Sequence, residues 1–276
     1  TLWAEYICRY IEEFQKRGYE VERISIQNEP KAAQTWDSCI YTADEEKVFL
    51  RDYLCPAMAR HSLDKIEVFI WDHNKERLYE RVRDTVDDTT KDMVAGAAFH
   101  WYSGDHFEAL DMVRQNYPKL KLITSESCIE YSKMNAGDDS GNAAKLAHEV
   151  IGDLNHGINA FYDWNLLLDE TGGPNHVNNL CHAPFLYDRV EKTLCPQLLQ
   201  RYFWHFSHTI IPGSVRIGLT RYTNTLEACA FRRPDGLLAV VLFNAGTKSI
   251  PVHLRLDGEL SKLTVTPKTI ISGLIV

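Results

Sequence analysis

Between Ile24 and Asn165, short apolar runs alternate with longer amphipathic stretches, and this alternation constrains the fold more than any other feature. The runs are Ile24 to Glu29, Ile66 to Trp71, Ala95 to Phe99, Leu120 to Glu126 and Ile158 to Asn165. Each has the length of a buried strand. Segments at about 44–60, 75–86, 105–116 and 143–154 carry apolar residues at helical spacing. In the first of these Asp44 reads as the cap, with Val48, Phe49, Leu50 and Tyr53 as the apolar face. A helix over 2–17, apolar at Leu2, Trp3, Tyr6, Ile7, Tyr10, Ile11 and Phe14, precedes them and stops at Gly18. A last helical segment is expected over 188–209. Such alternation argues for a parallel sheet with helices outside.

Polar and aromatic residues collect at the C-terminal end of each run. In a (β/α)8 barrel that end carries the active site. The pattern therefore puts Glu29, Asp72, His73, His100, Tyr102, Glu126 and Trp164 around one rim.

The texture changes after Pro212-Gly213. Short strands are expected at Arg216 to Tyr222, Leu226 to Phe231, Leu237 to Phe243, Ile250 to Leu256 and, in pieces, Lys262 to Val276. Pro234-Asp235-Gly236, Asn244-Ala245-Gly246 and Asp257-Gly258 are the turns between them. The division is an α/β segment over 1–212, the catalytic one, and an antiparallel β domain over 213–276. A length of 276 residues accommodates one large and one small domain.

A net charge of −8 lacks the electrostatic footprint of a nucleic-acid binder. The seven cysteines are irregularly spaced and form no CxxC pair, so most read as reduced, buried side chains. One disulfide, for instance through Cys39, stays open. No apolar stretch approaches the roughly 20 residues of a membrane helix. No signal peptide opens the chain, and the compartment, cytoplasmic or secreted, is not fixed by the sequence.

Glu29 and Glu126 each close an apolar run. A carboxylate there can be held rigidly while facing a pocket, and two of them are what a retaining glycosidase uses, one as acid and base, one as nucleophile. Taken singly, each could equally be a solvated turn residue; two on separate αβ units are less readily accidental. His100-Trp101-Tyr102 and Trp164 read either as core filler or as the wall of a sugar pocket. No HExxH, GxSxG or GxGxxG occurs, so no catalytic metal, serine elbow or nucleotide cofactor is expected.

The chain resembles glycoside hydrolase family 30, in its glucosylceramidase branch. The markers are Gln27-Asn28-Glu29-Pro30, Phe99-His100-Trp101-Tyr102, Ser125-Glu126-Ser127-Cys128, Asp163-Trp164-Asn165-Leu166, and Gly172-Gly173-Pro174-Asn175 with Asn178-Asn179. Pro234-Asp235-Gly236 before Val240-Val241-Leu242-Phe243-Asn244 also fits. The resemblance implies a (β/α)8 barrel with an attached β-sandwich and retaining hydrolysis of a β-linked glucoside or glucan, without a cofactor. It implies Glu29 as acid/base, Glu126 as nucleophile, Asn28 at the sugar 2-hydroxyl and Tyr102 beside the nucleophile. Trp164 and Asn179 would line the glycone pocket, next to His100 and Trp101. Related members act on β-1,6-glucan, β-xylosides or β-fucosides. A non-catalytic carbohydrate-binding fragment is the reading of another class. In this family the acid/base ends the fourth barrel strand, whereas here one helix precedes it. A preceding segment or a second chain is therefore expected to complete the barrel.

Overall fold

The computed structural model describes residues 1–275 and packs as two compact units. The first comprises 1–127 with 156–162; the second comprises 128–155 and the chain from Asp163 onward. This division falls elsewhere than the change of texture at 212, because the helix after Ser127 packs with the C-terminal strands.

In the first unit α1 (Leu2–Lys16) leads into β1 (Arg23–Ser25). Next come α2 (Ala43–Val48), a π-helical turn (Phe49–Leu54) and α3 (Cys55–Arg60). β2 (Glu67–Asn74) is followed by α4 (Leu78–Thr85), β3 (Gly96–His100), α5 (Phe107–Asn116), β4 (Lys121–Glu126) and β5 (Ala160–Phe161). The strands form one parallel sheet in the order β1-β2-β3-β4-β5, five strands where a closed (β/α)8 barrel has eight.

Gly18 ends α1 with φ +84°, a conformation glycine adopts without steric cost. The helical period of α1 is as expected, but its interior face is narrower. Ala4, Cys8 and Ile11 are buried, while Trp3, Tyr6, Tyr10 and Phe14 stay exposed and stack along the helix, Trp3 on Tyr6 at 5.3 Å and Tyr10 on Phe14 at 4.7 Å. The helix expected over 44–60 starts at a Thr42 cap, not Asp44. Thr42 and Glu45 exchange hydrogen bonds as a capping box. Pro56 brings no N–H and crowds the preceding turn, which widens into the π-helical stretch. Buried Phe49, Leu50 and Leu54 make the interior face, and Val48 and Tyr53 point to solvent.

Two strands are shorter than expected. β1 stops at Ser25, so Glu29 stands in the following loop. The run expected over Ile158 to Asn165 pairs only at Ala160 and Phe161, within reach of Ile123 and Thr124.

The second unit contains α6 (Asp139–Asn155), β6 (Leu167–Asp169), β7 (Phe185–Asp188), β8 (Thr193–Pro196) and α7 (Leu198–Thr209). It continues with β9 (Val215–Arg216), β10 (Leu226–Arg232), β11 (Leu238–Asn244), β12 (Ile250–Leu256), β13 (Glu259–Val265) and β14 (Thr269–Ile275). The helix expected over 188–209 thus begins only at Leu198. Its first part is a hairpin, because Asp188 Oδ1 accepts the N–H groups of Val190 and Glu191, each at 2.9 Å, and closes a turn there. The strand expected over Arg216 to Tyr222 is reduced to β9.

The order β14-β11-β10-β9 makes a four-stranded antiparallel sheet beside the β12-β13 hairpin. Leu226, Ala228, Ala230, Val240, Leu242, Val252 and Val265 form the core of this region. β11 is buried along its whole length, as its unbroken apolar run requires. Phe243 meets Tyr202 of α7 edge to face. All seven cysteines are free, and Cys39 is exposed. Among the described residues no helix is long and apolar enough to cross a membrane.

Candidate active site

β3 is the middle of the parallel sheet, and its last residue, His100, is fully buried. Both of its neighbours lose register beside it. β2 shifts between Trp71 and His73, where Trp71 and Asp72 take φ +77° and +54°. β4 shifts so that His100 pairs with Glu126 while Phe99 pairs with Thr124, which leaves Ser125 as the extra residue. Such bulges re-aim side chains at strand ends. The inserted residues meet, with Ser125 Oγ donating to Asp72 Oδ1 at 2.5 Å.

The Trp71 N–H, displaced by the bulge, is taken up by Glu46 Oε1 at 3.0 Å. Glu46 Oε2 accepts from Arg81 Nη1 at 2.9 Å, and Arg81 reaches the Tyr41 carbonyl at 2.8 Å. Glu29 has φ +46°, outside the range that non-glycine residues usually occupy. Its N–H donates to the Asp72 carbonyl at 2.9 Å, so the loop after β1 is fastened to the bulge of β2.

The imidazole of His100 is bracketed by carboxylates. Nδ1 lies 3.3 Å from Glu29 Oε1, Nε2 lies 3.2 Å from Asp72 Oδ1, and Nε2 is 3.8 Å from Glu126 Oε2. Glu29 Oε2 accepts from Gln34 Nε2 at 2.6 Å, and Glu126 Oε1 accepts the Tyr102 hydroxyl at 2.9 Å. Oxygens of Glu29 and Glu126 and a ring nitrogen of His100 all lie within 4.8 Å of one another. A metal ion could bridge such a span. Both ring nitrogens are turned to carboxylates, however, and a charged imidazole has no lone pair to give.

Burial opposes charge on His100, but Asp72, Glu29 and Glu126 outweigh it, and its pKa is raised to about 10. Burial also opposes charge on Glu29, yet hydrogen bonds from His100 and Gln34 hold it below the ordinary carboxylate value. Asp72 is lowered in the same way, against burial, by His100 and Ser125. Glu126 goes the other way: burial raises it, and His100 and Tyr102 only partly compensate. Burial lowers His73, whose ring stands 6.2 Å from that of His100.

Of the residues expected at the site, the fold brings Glu29, His100, Tyr102 and Glu126 together: Glu29 is hydrogen-bonded to His100, Tyr102 to Glu126, and His100 Nε2 lies 3.8 Å from Glu126 Oε2. Asn28 is exposed beside Glu29, and Trp101 is buried at 2% exposure. Trp164 and Asn179 belong to the second unit. Trp164 is exposed, and the Asn179 N–H caps Asn175 Oδ1 at 3.1 Å. Sequence reasoning missed Gln34, which lies in a loop without periodicity. It placed Asp72 on the rim without giving it a role.

The glycosyl hydrolase family 30 TIM-barrel domain matches residues 1–210, and the family's beta sandwich domain matches 213–272. The chain is 30% identical to the lysosomal acid glucosylceramidase of Mus musculus, over 96% of this chain and 54% of that protein. Among solved structures it is similar to SrfJ from Salmonella typhimurium, with 36% identity and a TM-score of 0.95 over 99% of this chain and 61% of that one. An endo-β-1,6-glucanase matches with 27% identity and a TM-score of 0.86, over 98% of this chain and 61% of that one. The chain spans about half the length of the curated relatives it matches. With both domain models matched in order along its length, the chain belongs to glycosyl hydrolase family 30.

Proposed function

We propose that the site is that of a retaining β-glycosidase acting on β-glucosides, a reading in keeping with the glucosylceramidase names of relatives. The observation that carries this reading is the spacing of the two carboxylates. Oxygens of Glu29 and Glu126 stand within 4.8 Å of each other. Retaining enzymes hold their carboxyls about 5–5.5 Å apart, and inverting ones about 6.5–9.5 Å.

In this reading Glu126 attacks the anomeric carbon while Glu29 protonates the departing oxygen. A glycosyl ester forms on Glu126. Glu29, now ionised, takes a proton from water, and the hydroxide releases the sugar. The Tyr102 hydroxyl orients Glu126. Asn28 would meet the sugar 2-hydroxyl, with His100 and Trp101 next to it. The role of Glu29 requires a proton that its own lowered pKa does not favour, and His100 Nδ1, at 3.3 Å, holds one within hydrogen-bond reach. The edge strands β1 and β5 are where further strands, from this chain or another, would add to the sheet.

Incubating the intact protein with a 2-deoxy-2-fluoro-β-glucoside and mapping the label by peptide mass tests the assignment. A covalent adduct on Glu126 is expected, together with loss of turnover in Glu126→Gln. Label on another residue would remove Glu126 as the nucleophile.

A further inference from the structure

We propose that His100, held between Asp72 and Glu29, stores the proton that Glu29 gives to the leaving group and is reloaded with a proton from water in the second half-reaction. This rests on the glycosidase reading above and deepens it. Asp72 and His100 act through Glu29 and are positioning residues.

The geometry is built for this purpose. The ring of His100 is fully buried, and its two nitrogens face Glu29 at 3.3 Å and Asp72 at 3.2 Å. Asp72 reaches that place only because β2 is bulged, and Ser125, inserted by the second register shift, donates to the same Asp72 oxygen at 2.5 Å. Two strands thus depart from regular pairing to set one carboxylate behind one imidazole. From the elements around it, the ionisable groups near His100 are Glu29 from the loop after β1, Asp72 and His73 from β2, Tyr102 after β3 and Glu126 from β4. Behind Asp72 lies the buried Glu46–Arg81 pair.

With the site open to water, the stable arrangement is an imidazolium beside an ionised Glu29. Moving one proton from Nδ1 to Glu29 Oε1 breaks an N–H bond, makes an O–H bond, and leaves a neutral imidazole beside a carboxylic acid. No proton is gained or lost by the pair. Covering the site with a sugar removes solvent from both charges and shifts the balance towards the neutral pair. Glu29 then delivers the proton to the glycosidic oxygen. In the second half-reaction the proton that Glu29 takes from water passes to Nδ1. Asp72, hydrogen-bonded at Nε2, sets how firmly the store holds its proton.

The test compares the intact wild type with Asp72→Asn and His100→Gln. Two substrates are used, an alkyl β-glucoside, whose leaving group needs protonation, and a dinitrophenyl β-glucoside, whose leaving group does not. In both variants kcat/KM at pH 7 for the alkyl glucoside should fall about 100-fold, within the range general acids contribute. The loss on the dinitrophenyl glucoside should stay under about tenfold. The basic limb of the alkyl-glucoside pH profile should move down by about one unit or more, with activity recovering at lower pH. A variant with reduced rate but an unmoved basic limb would show that His100 and Asp72 only support the fold, and would overturn the proposal. Nitrogen-15 spectra of His100 give a reading free of turnover. A doubly protonated ring at pH 8 in the wild type is expected, and a neutral ring at pH 7 overturns the proton store. A wild type that turns over neither glucoside fails the function itself, an outcome distinct from turnover with unmoved limbs.

Discussion

Tyr102 shows how much one hydroxyl can carry. Its backbone N–H is held by Asn74 Oδ1 at 3.1 Å, and its O–H donates to Glu126 at 2.9 Å. Burial raises the pKa of Glu126, and this bond is among the contacts that oppose the rise. Tyr102→Phe removes the donor and keeps the ring. A hydrogen bond to a charged group contributes about 1.5–3 kcal/mol, so kcat/KM on an aryl β-glucoside should fall roughly 10- to 100-fold. The melting temperature should change little, because the ring packing remains. A variant as active as the wild type would mean that Glu126 does not need Tyr102 in its charged form. Glu126 and Tyr102 were legible in the sequence because Glu126 closes its strand and Tyr102 follows its strand by two residues. Gln34 was not, since a loop side chain that folds back on Glu29 leaves no periodic trace.

At the scale of elements, α2 and β2 depend on each other through Glu46. The Thr42 capping box starts α2 so that Glu45 faces its own cap and Glu46 faces inward. There Glu46 takes the Trp71 N–H that the bulge has displaced and pairs with Arg81, whose guanidinium lies over the Trp71 ring at 4.9 Å. Burial pulls the pKa of Glu46 upward against that pairing. Glu46→Ala would leave a buried guanidinium and a buried N–H without their acceptor. Breaking such a pair costs about 3–5 kcal/mol. Glu46→Gln keeps an acceptor for one of the two donors and should cost less, about 1–3 kcal/mol. Urea unfolding of the three proteins measures the difference, and an alanine variant within about 1 kcal/mol of the wild type would contradict this account. The alternation of strands and helices was readable because period two and period 3.6 are properties of the chain itself. The bulges at Asp72 and Ser125 were not readable. They are relations between neighbouring strands, and the residues that support them, such as Glu46, lie far off in sequence. The expected helix over 188–209 loses its first part to a hairpin for a similar reason: the Asx turn at Asp188 outweighs a short stretch of helix-like spacing.

For the whole molecule, the cluster around His100 ties the proposed catalytic groups to fold stability, with a sign that can be worked out. His100 has its pKa raised from 6.5 to about 10, so the stability it contributes is full below about 6.5 and is lost as pH rises through about 10. Glu29 and Asp72 are lowered, so their contributions are present above the ordinary carboxylate range and are lost as pH falls through their folded values. The cluster therefore stabilises most between about pH 4.5 and 6.5. Glu126, raised by burial, works against it across the same window. Asp72→Asn removes one carboxylate from the imidazolium, and the gap in melting temperature between wild type and variant reads the coupling directly. That gap should be widest near pH 6 and should narrow once pH passes the variant's lower His100 value on the way to about 10, each kcal/mol appearing as about 2–4 °C. Differential scanning calorimetry of the intact protein in matched ionic strength measures it. A gap that stays constant from pH 6 to 10 would mean that His100 is not a cation in the folded protein, and the imidazolium would then have no part in either its stability or its chemistry.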